Sequence, residues 1–329
     1  FLPIPNTWIK MRDILMFWAS KNIDGFRCDM AEMVPIEFWR WAILQVKDQY
    51  NDIVFFAETY NPNEYRNFLD SNIFNYLYDK VGLYDVLRNV SCGIKPSSDI
   101  TFILNNVGDI QSKMINFIEN HDEQRVASDY FLGNGNKAIA SFILTACINS
   151  NPIMVYAGQE FGERGMDEEG FSGKDGRTSI FDYWSIDTIF RWNNYGKWDD
   201  KLLNEEEKKL QKFYTKLLIL CNKEEALREG LFYDLMSINY DNEEFDSTKQ
   251  FAFLRGNTNG IVLVVVNFDN RISSVSIRIN ESAIRFFNIN YSTTGRAMPI
   301  LFSTEKSYSF TNNEPLKITL GAYSGEVYK

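Results

Sequence analysis

The sequence predicts an α/β chain, with a parallel sheet of five strands linked by helices, followed by an all-β antiparallel sandwich over residues 231–329. Three observations carry this. Short apolar runs alternate with helical patterns, and that alternation implies parallel pairing with helical crossovers. Four of the runs end in polar or charged residues. Near Leu231 the pattern changes to short strands separated by Asn, Gly and Asp.

The elements follow in order. From Trp8 to Ser20, "WIKMRDILMFWAS" has Ile9, Ile14, Phe17 and Trp18 at helical spacing. "IDGFRCD" reads as a strand, and "PIEFWRWAILQVKDQY" as a helix with Pro35 at its start. "DIVFFAE" is a continuous apolar run, the mark of a strand buried on both faces. "NPNEYRNFLD" is a short helix and "IFNYLYD" the third strand. A helical zone follows, with a loop near Cys92 to Ser98. "KMINFIEN" is the fourth strand, "NKAIASFILTACINS" an apolar helix, and "PIMVYAGQEFG" the fifth strand. After an irregular stretch from Gly162 to Lys201, "NEEEKKLQKFYTKLLILCNKEEAL" is a long amphipathic helix, with Asn204 to Gln211 a solvated charged face. In the last segment, "GIVLVVVNF" would promote aggregation if exposed.

Composition removes several function classes. The chain has 329 residues, enough for about two domains, placed at 1–230 and 231–329. Acidic residues outnumber basic ones by 44 to 34, for a net charge of −10, so a nucleic-acid partner is not expected. No apolar stretch reaches the ~18 residues needed to span a bilayer. Cys28, Cys92, Cys147 and Cys221 match no zinc or redox spacing and read as buried thiols. No Gly-rich phosphate turn follows any strand. Barrel metal sites usually need several histidines, and His121 is the only one here. There is no G-x-S-x-G elbow and no EF-hand loop.

What remains is a set of carboxylates at strand ends. Asp29, Glu58 and Asp122 close the first, second and fourth strands, at the end where both barrels and doubly wound sheets bind ligands. Asp29 and Glu58 are 29 residues apart, about one βα unit, which puts them on neighbouring strands. Neighbouring strands lie ~4.8 Å apart, so the two carboxyl groups could reach the ~5–5.5 Å separation of retaining glycosidases. Arg27 points the same way as Asp29 and would hold it ionised, as a nucleophile must be. Glu58 follows "IVFFA" with no cation nearby in sequence, and apolar surroundings would favour the protonated acid. Asp122 would add a third charge, and His121 a hydrogen bond to a sugar hydroxyl. A lone acid at a strand end is usually a cap, and a lone histidine is usually structural. The coincidence of three acids, an arginine and the single histidine at one end of the strands favours a site.

On these residues the chain resembles a known family. "DGFRCD", "FFAET" and "FIENHD" resemble the strand 4, 5 and 7 signatures of the α-amylase family of glycoside hydrolases. "VYAGQEFG" resembles its strand 8, and the all-β tail resembles its C-terminal domain. The resemblance implies strands 4–8 of a (β/α)8 TIM barrel followed by a β-sandwich. It implies Asp29 as nucleophile, Glu58 as acid/base and Asp122 as transition-state stabiliser, with Arg27 and His121 in support. The implied substrate is an α-linked glucan, starch or maltodextrin, cleaved with retention. An α-glucan transferase or debranching enzyme would use the same triad, and a non-catalytic carbohydrate-binding relative would dispense with it.

There are departures from the family pattern. Glu32 and Met33 stand where the family often has Lys-His, and Tyr60 is expected to take over a stacking role. Strands 1–3 have no counterpart, so the chain is expected to be the C-terminal portion of a longer enzyme and inactive alone. No cofactor is expected in this segment, and the calcium of a full-length relative would lie largely outside it. Unpaired barrel edges would favour self-association.

Overall fold

Helix α1 (Asn6–Ala19) begins after Pro5 and packs on α2 (Ile36–Gln49) through Trp8, whose ring meets Phe38 edge-on at 5.5 Å. On α2, Phe38, Trp39, Ala42, Ile43 and Val46 form one buried stripe. On α1, Met11, Ile14, Phe17 and Trp18 stay exposed. The chain was analysed as a computed structural model that describes residues 2–70, 73–168, 173–178, 180, 186–289, 294–302, 307–311 and 314–329.

Four strands form the parallel sheet: β1 (Gly25–Cys28), β2 (Val54–Ala57), β3 (Tyr76–Tyr78) and β4 (Met114–Ile115), in that spatial order. Gly25 is required where β1 meets β2, because a Cβ there would lie 2.4 Å from the Val54 carbonyl oxygen. Phe26 stacks on Phe55 behind it, with ring centroids 5.1 Å apart. Helices α3 (Tyr65–Leu69), α4 (Asp85–Ser91), α5 (Asp99–Asn106) and α6 (Ile139–Cys147) connect the strands as the sequence predicts.

The fifth strand does not form as expected. "PIMVYAGQEFG" contributes a single parallel bridge, Asn116 to Ile153, and then turns into a 3-10 segment at Gln159–Phe161. Pro152 has no N–H to extend the ladder, and Gly158 adopts a positive φ of 96° that ends the extended run. Part of the irregular stretch is helical, in α7 (Asp187–Asn193). The long helix α8 (Glu205–Lys223) starts at an Asn204–Glu207 capping box. Its charged start is not wholly solvated, since Glu207 is buried and pairs with Arg191 at 2.5 Å.

After α9 (Glu225–Arg228) the chain is mostly antiparallel. β5 (Leu231–Asp234), β6 (Gln250–Asn257), β7 (Gly260–Asn267) and β12 (Ser324–Tyr328) form one sheet in the order β12-β7-β6-β5. Between them, α10 (Met236–Asn239) and α11 (Glu281–Arg285) are short helices. β8 (Ser273–Ile277) pairs with β11 (Leu316–Leu320), and β9 (Thr294–Ala297) with β10 (Tyr308–Thr311). The aggregation-prone run is β7, buried and paired on both sides.

One apolar core joins α4, α6 and α8 to this antiparallel sheet. Arg255 on β6 crosses into it, fully buried. Its Nη1 donates to the Cys147 carbonyl at 2.8 Å, and its Nη2 to the Leu227 and Gly230 carbonyls at 2.9 and 2.6 Å. Burial lowers its pKa to about 10. No helix among the described residues is long and apolar enough to cross a membrane.

Candidate active site

The β1 and β2 tips are fixed to each other by backbone. The Glu58 N–H donates to the Cys28 carbonyl and the Ala31 N–H to the Glu58 carbonyl, each at 3.0 Å. Register pairs Arg27 with Phe56 and Cys28 with Ala57, which sets Asp29 beside Glu58. The two acids differ sharply in setting. The Asp29 side chain is 71% exposed and that of Glu58 only 2%.

Arg27 lies between them. Its Nη1 pairs with Asp29 Oδ1 and its Nη2 lies 2.8 Å from Glu58 Oε1. One guanidinium touching both carboxylates limits how far apart they can be. Burial opposes the Arg27 charge, but Asp29, Tyr78 and Glu58 more than offset it and hold its pKa above the ordinary range. Its Cζ sits 5.6 Å from the centre of the Tyr78 ring on β3. Burial is also the main cause of the high pKa of the adjacent Cys28 thiol, pushed up to about 12.

The expectation of apolar, cation-free surroundings for Glu58 is overturned. Besides Arg27, its Oε1 accepts from the Tyr60 hydroxyl at 2.9 Å and its Oε2 from the Met30 N–H at 2.9 Å. Met30 is in the left-handed region (φ 43°, ψ 44°), a strained conformation for a side chain of this size. That turn aims its N–H at Glu58. Tyr60 therefore spends its hydroxyl on Glu58. Burial, then the Glu58 hydrogen bond and the charges of Glu58, Asp122 and Glu123, push its pKa up. Glu32 turns back under this loop and accepts from the Tyr60 and Asn61 N–H groups at 3.0 and 2.9 Å. Met33 stays exposed.

The opposite wall comes from β3 and β4. After β3, Asp79 is buried and accepts from the Leu83 N–H at 2.8 Å, capping the π-helical turn Lys80–Tyr84. Burial raises its pKa to about 6, against the lowering effect of those N–H groups. The turn presents Lys80, which reaches Asp85 at 2.9 Å and Glu123 at 3.1 Å and lies 6.0 Å from the Tyr60 ring centre. After β4, Glu119 and Arg125 form a buried ion pair at 2.9 Å. Arg125 also stacks 3.9 Å over Tyr156 and donates to the Ala157 carbonyl. Between this pair, Asn120 Oδ1 accepts from the Asp122 and Glu123 N–H groups at 2.9 Å each. These bonds bracket His121 and Asp122 between the two ends of the ion pair.

His121 Nε2 faces Asp122 Oδ2 at 3.3 Å. Among the described residues neither hydrogen-bonds to Arg27, Asp29 or Glu58, but the Asp122 charge acts on both Tyr60 and Tyr78. Sequence reasoning missed Met30, Lys80, Glu119 and Arg125. Glu119 lies inside the FIENHD motif, and Arg125 follows that motif by three residues.

The family model described as alpha amylase, catalytic domain, matches residues 5–230. The chain belongs to the alpha-amylase family. It is 27% identical to the alpha-amylase MalA of Haloarcula japonica over 274 residues, 80% of this chain and 34% of that protein. A shorter match, 37% over 57 residues, is to an alpha-1,4-glucan:maltose-1-phosphate maltosyltransferase of Cereibacter sphaeroides, covering 17% of this chain and 10% of that one. Among solved structures, the Geobacillus thermoleovorans alpha-amylase complexed with acarbose superposes with a TM-score of 0.70 at 16% identity, over 98% of this chain and 64% of that one. A cyclomaltodextrinase gives 0.72 at 18%, over 99% and 49%. The family member described here thus spans about a third of the length of MalA and half to two thirds of these structures.

Proposed function

We propose that the chain carries the catalytic carboxylates of a retaining glycoside hydrolase that acts on α-linked glucans. The observation that supports this is Arg27 bridging Asp29 and Glu58 across adjacent strand tips. In the proposed reaction, Asp29 attacks the anomeric carbon. Glu58 gives its proton to the glycosidic oxygen as that bond breaks, and a glycosyl ester forms on Asp29. Glu58 then takes a proton from water, which attacks the same carbon and releases Asp29 with overall retention. Asp122 stabilises the positive charge on the sugar in both transition states. Arg27 orients both acids, and His121 and Tyr60 face the substrate.

The four-stranded parallel sheet is read as an arc of a (β/α)8 barrel corresponding to its strands 4–7, with the segment bridged at Ile153 in the place of strand 8. Residues 1–230 form the catalytic unit and 231–329 a β-sandwich. Among the described residues β1 pairs only with β2, and the apolar stripe of α1 is exposed, so this arc is proposed to work within a longer polypeptide, to be inactive alone and to self-associate through its exposed edge. The reaction needs no cofactor. A second reading, a glucan transferase, is favoured by the local similarity to the maltosyltransferase.

The test is an assay of the complete protein on soluble starch beside Asp29→Asn and Glu58→Gln, with the anomer of the first product read by NMR. Loss of about 10³-fold or more in both variants and a retained α-anomer are expected. Undiminished activity in Asp29→Asn, or an inverted product, would sink the proposal. Transfer to an added acceptor sugar in preference to water would select the transferase reading.

A further inference from the structure

The four cysteines read from the sequence as buried thiols, but Cys92 is exposed and Cys221 only partly buried, and folding brings Cys147 and Cys221 together. Cys147, the last residue of α6, and Cys221, near the end of α8, have their sulfurs 3.8 Å apart. They are 74 residues apart in the chain. Cys147 is fully buried behind Cys221. Cys221 is partly exposed and lines a cleft of about 300 Å³ together with Ala146, Asn149, Ser150, Leu218 and Arg228. The arrangement is ordered: Cys221 is partly exposed at the cleft, where its Sγ donates to the Ala146 carbonyl at 3.4 Å, and the Cys147 sulfur beside it is buried. The site lies away from the carboxylates, beside the Arg255 contact with the Cys147 carbonyl.

We propose that Cys147 and Cys221 are a two-thiol redox site that a small-molecule disulfide converts into an intramolecular disulfide. Cys221 loses its proton to solvent, and its thiolate attacks one sulfur of the incoming disulfide. An S–S bond to Cys221 forms, and the first thiolate leaves. Cys147 then attacks the Cys221 sulfur, and its proton passes to the departing small-molecule thiolate. The mixed disulfide breaks, and the second thiol leaves. Two electrons pass from the protein to the small molecule, which ends as two thiols. The division of labour follows from the setting. While Cys221 is free, its hydrogen bond and burial hold the Cys147 thiol well above its ordinary pKa, so Cys221 attacks first; once Cys221 is in the mixed disulfide, that first contribution is gone and Cys147 can resolve it. The gap left to a covalent bond, about 1.8 Å, calls for side-chain rotation and a small helix shift. Closure would tie α6 to α8 and close a loop of 74 residues.

The experiment incubates the reduced, folded chain with oxidised glutathione, blocks free thiols and maps peptides without reduction. The expected result is a Cys147–Cys221 linked peptide, reversed by dithiothreitol. A melting temperature several degrees above that of the reduced protein should accompany it. Cys221→Ser should abolish the link and the thermal shift together and leave Cys147 unmodified. Cys147→Ser should instead trap glutathione on Cys221. Glutathione persisting on Cys221 of the wild-type chain, or both thiols remaining free after treatment, would overturn the proposal. The wild-type mapping decides the matter even if either variant fails to fold, and none of these readouts depends on glucan turnover.

Discussion

Replacing Asp79 by Asn removes a buried titratable group while keeping the oxygen that caps the Lys80–Tyr84 turn. The wild-type carboxyl accepts from the Leu83 N–H at 2.8 Å, and an Asn Oδ1 can accept the same bond. Burial, reinforced by Asp85, raises the Asp79 pKa from the ordinary 3.8 to about 6, although the Leu83 and Gly82 N–H groups act against the rise. In the folded state the group therefore holds its proton to a higher pH than in the unfolded chain. Its contribution is fully present below pH 3.8 and is lost as pH climbs through about 6. The gap between those values is worth about 3 kcal/mol. Urea unfolding of both proteins at about pH 4 and about pH 8 isolates this group as a double difference. Asp79→Asn should gain up to about 3 kcal/mol on the wild type between the two conditions. A stability difference that is the same at both pH values would refute the assignment of a raised pKa to Asp79.

Two further outcomes follow from the site. Arg125→Met strands Glu119 in the core without its 2.9 Å partner and should cost about 3–5 kcal/mol in urea unfolding, with part recovered by adding Glu119→Gln. A loss below about 1 kcal/mol would show that the bracket is not held by this pair. Tyr60→Phe keeps the ring and deletes the hydroxyl that donates to Glu58 at 2.9 Å. In the complete protein its kcat/KM on maltodextrin should fall about tenfold, the value of one hydrogen bond to a charged group, with KM little changed. Unchanged kcat/KM would leave Tyr60 as a stacking surface only.

Legibility in the sequence tracked how local the determining contacts are. The strand tips that present Arg27, Asp29 and Glu58 could be read because side-chain direction and βα spacing are short-range properties, whereas β4 ends at Ile115 and Asp122 sits in the loop beyond it rather than closing the fourth strand. Most of the surroundings of Glu58 could not be read, because Arg27 arrives from the neighbouring strand and the Met30 N–H from a strained backbone turn, and only Tyr60 is near in sequence. The same holds for Cys147 and Cys221, brought together by two helices with 74 residues between the sulfurs. The fifth strand was over-read. Its apolar pattern is continuous, yet Pro152 and Gly158 leave backbone pairing at one bridge. Glu32 is the opposite case. Its identity departs from the family's usual lysine, and only the fold explains the carboxylate, which holds the Tyr60–Asn61 backbone.

Arg255 bears on how this polypeptide can be cut and recombined. A change of composition near residue 231 invites a construction boundary there, with each side expressed or exchanged as an independent module. One of the carbonyls that accept from Arg255 belongs to Gly230, on the very edge of that cut, and another to Leu227 just before it. Grafting a foreign all-β tail onto residues 1–230 would therefore strip these helix-end carbonyls of their donor unless the graft brings an arginine to the same register. The seam between the two halves is a weld, and a chimera should keep Arg255 together with the Cys147, Leu227 and Gly230 carbonyls that it serves.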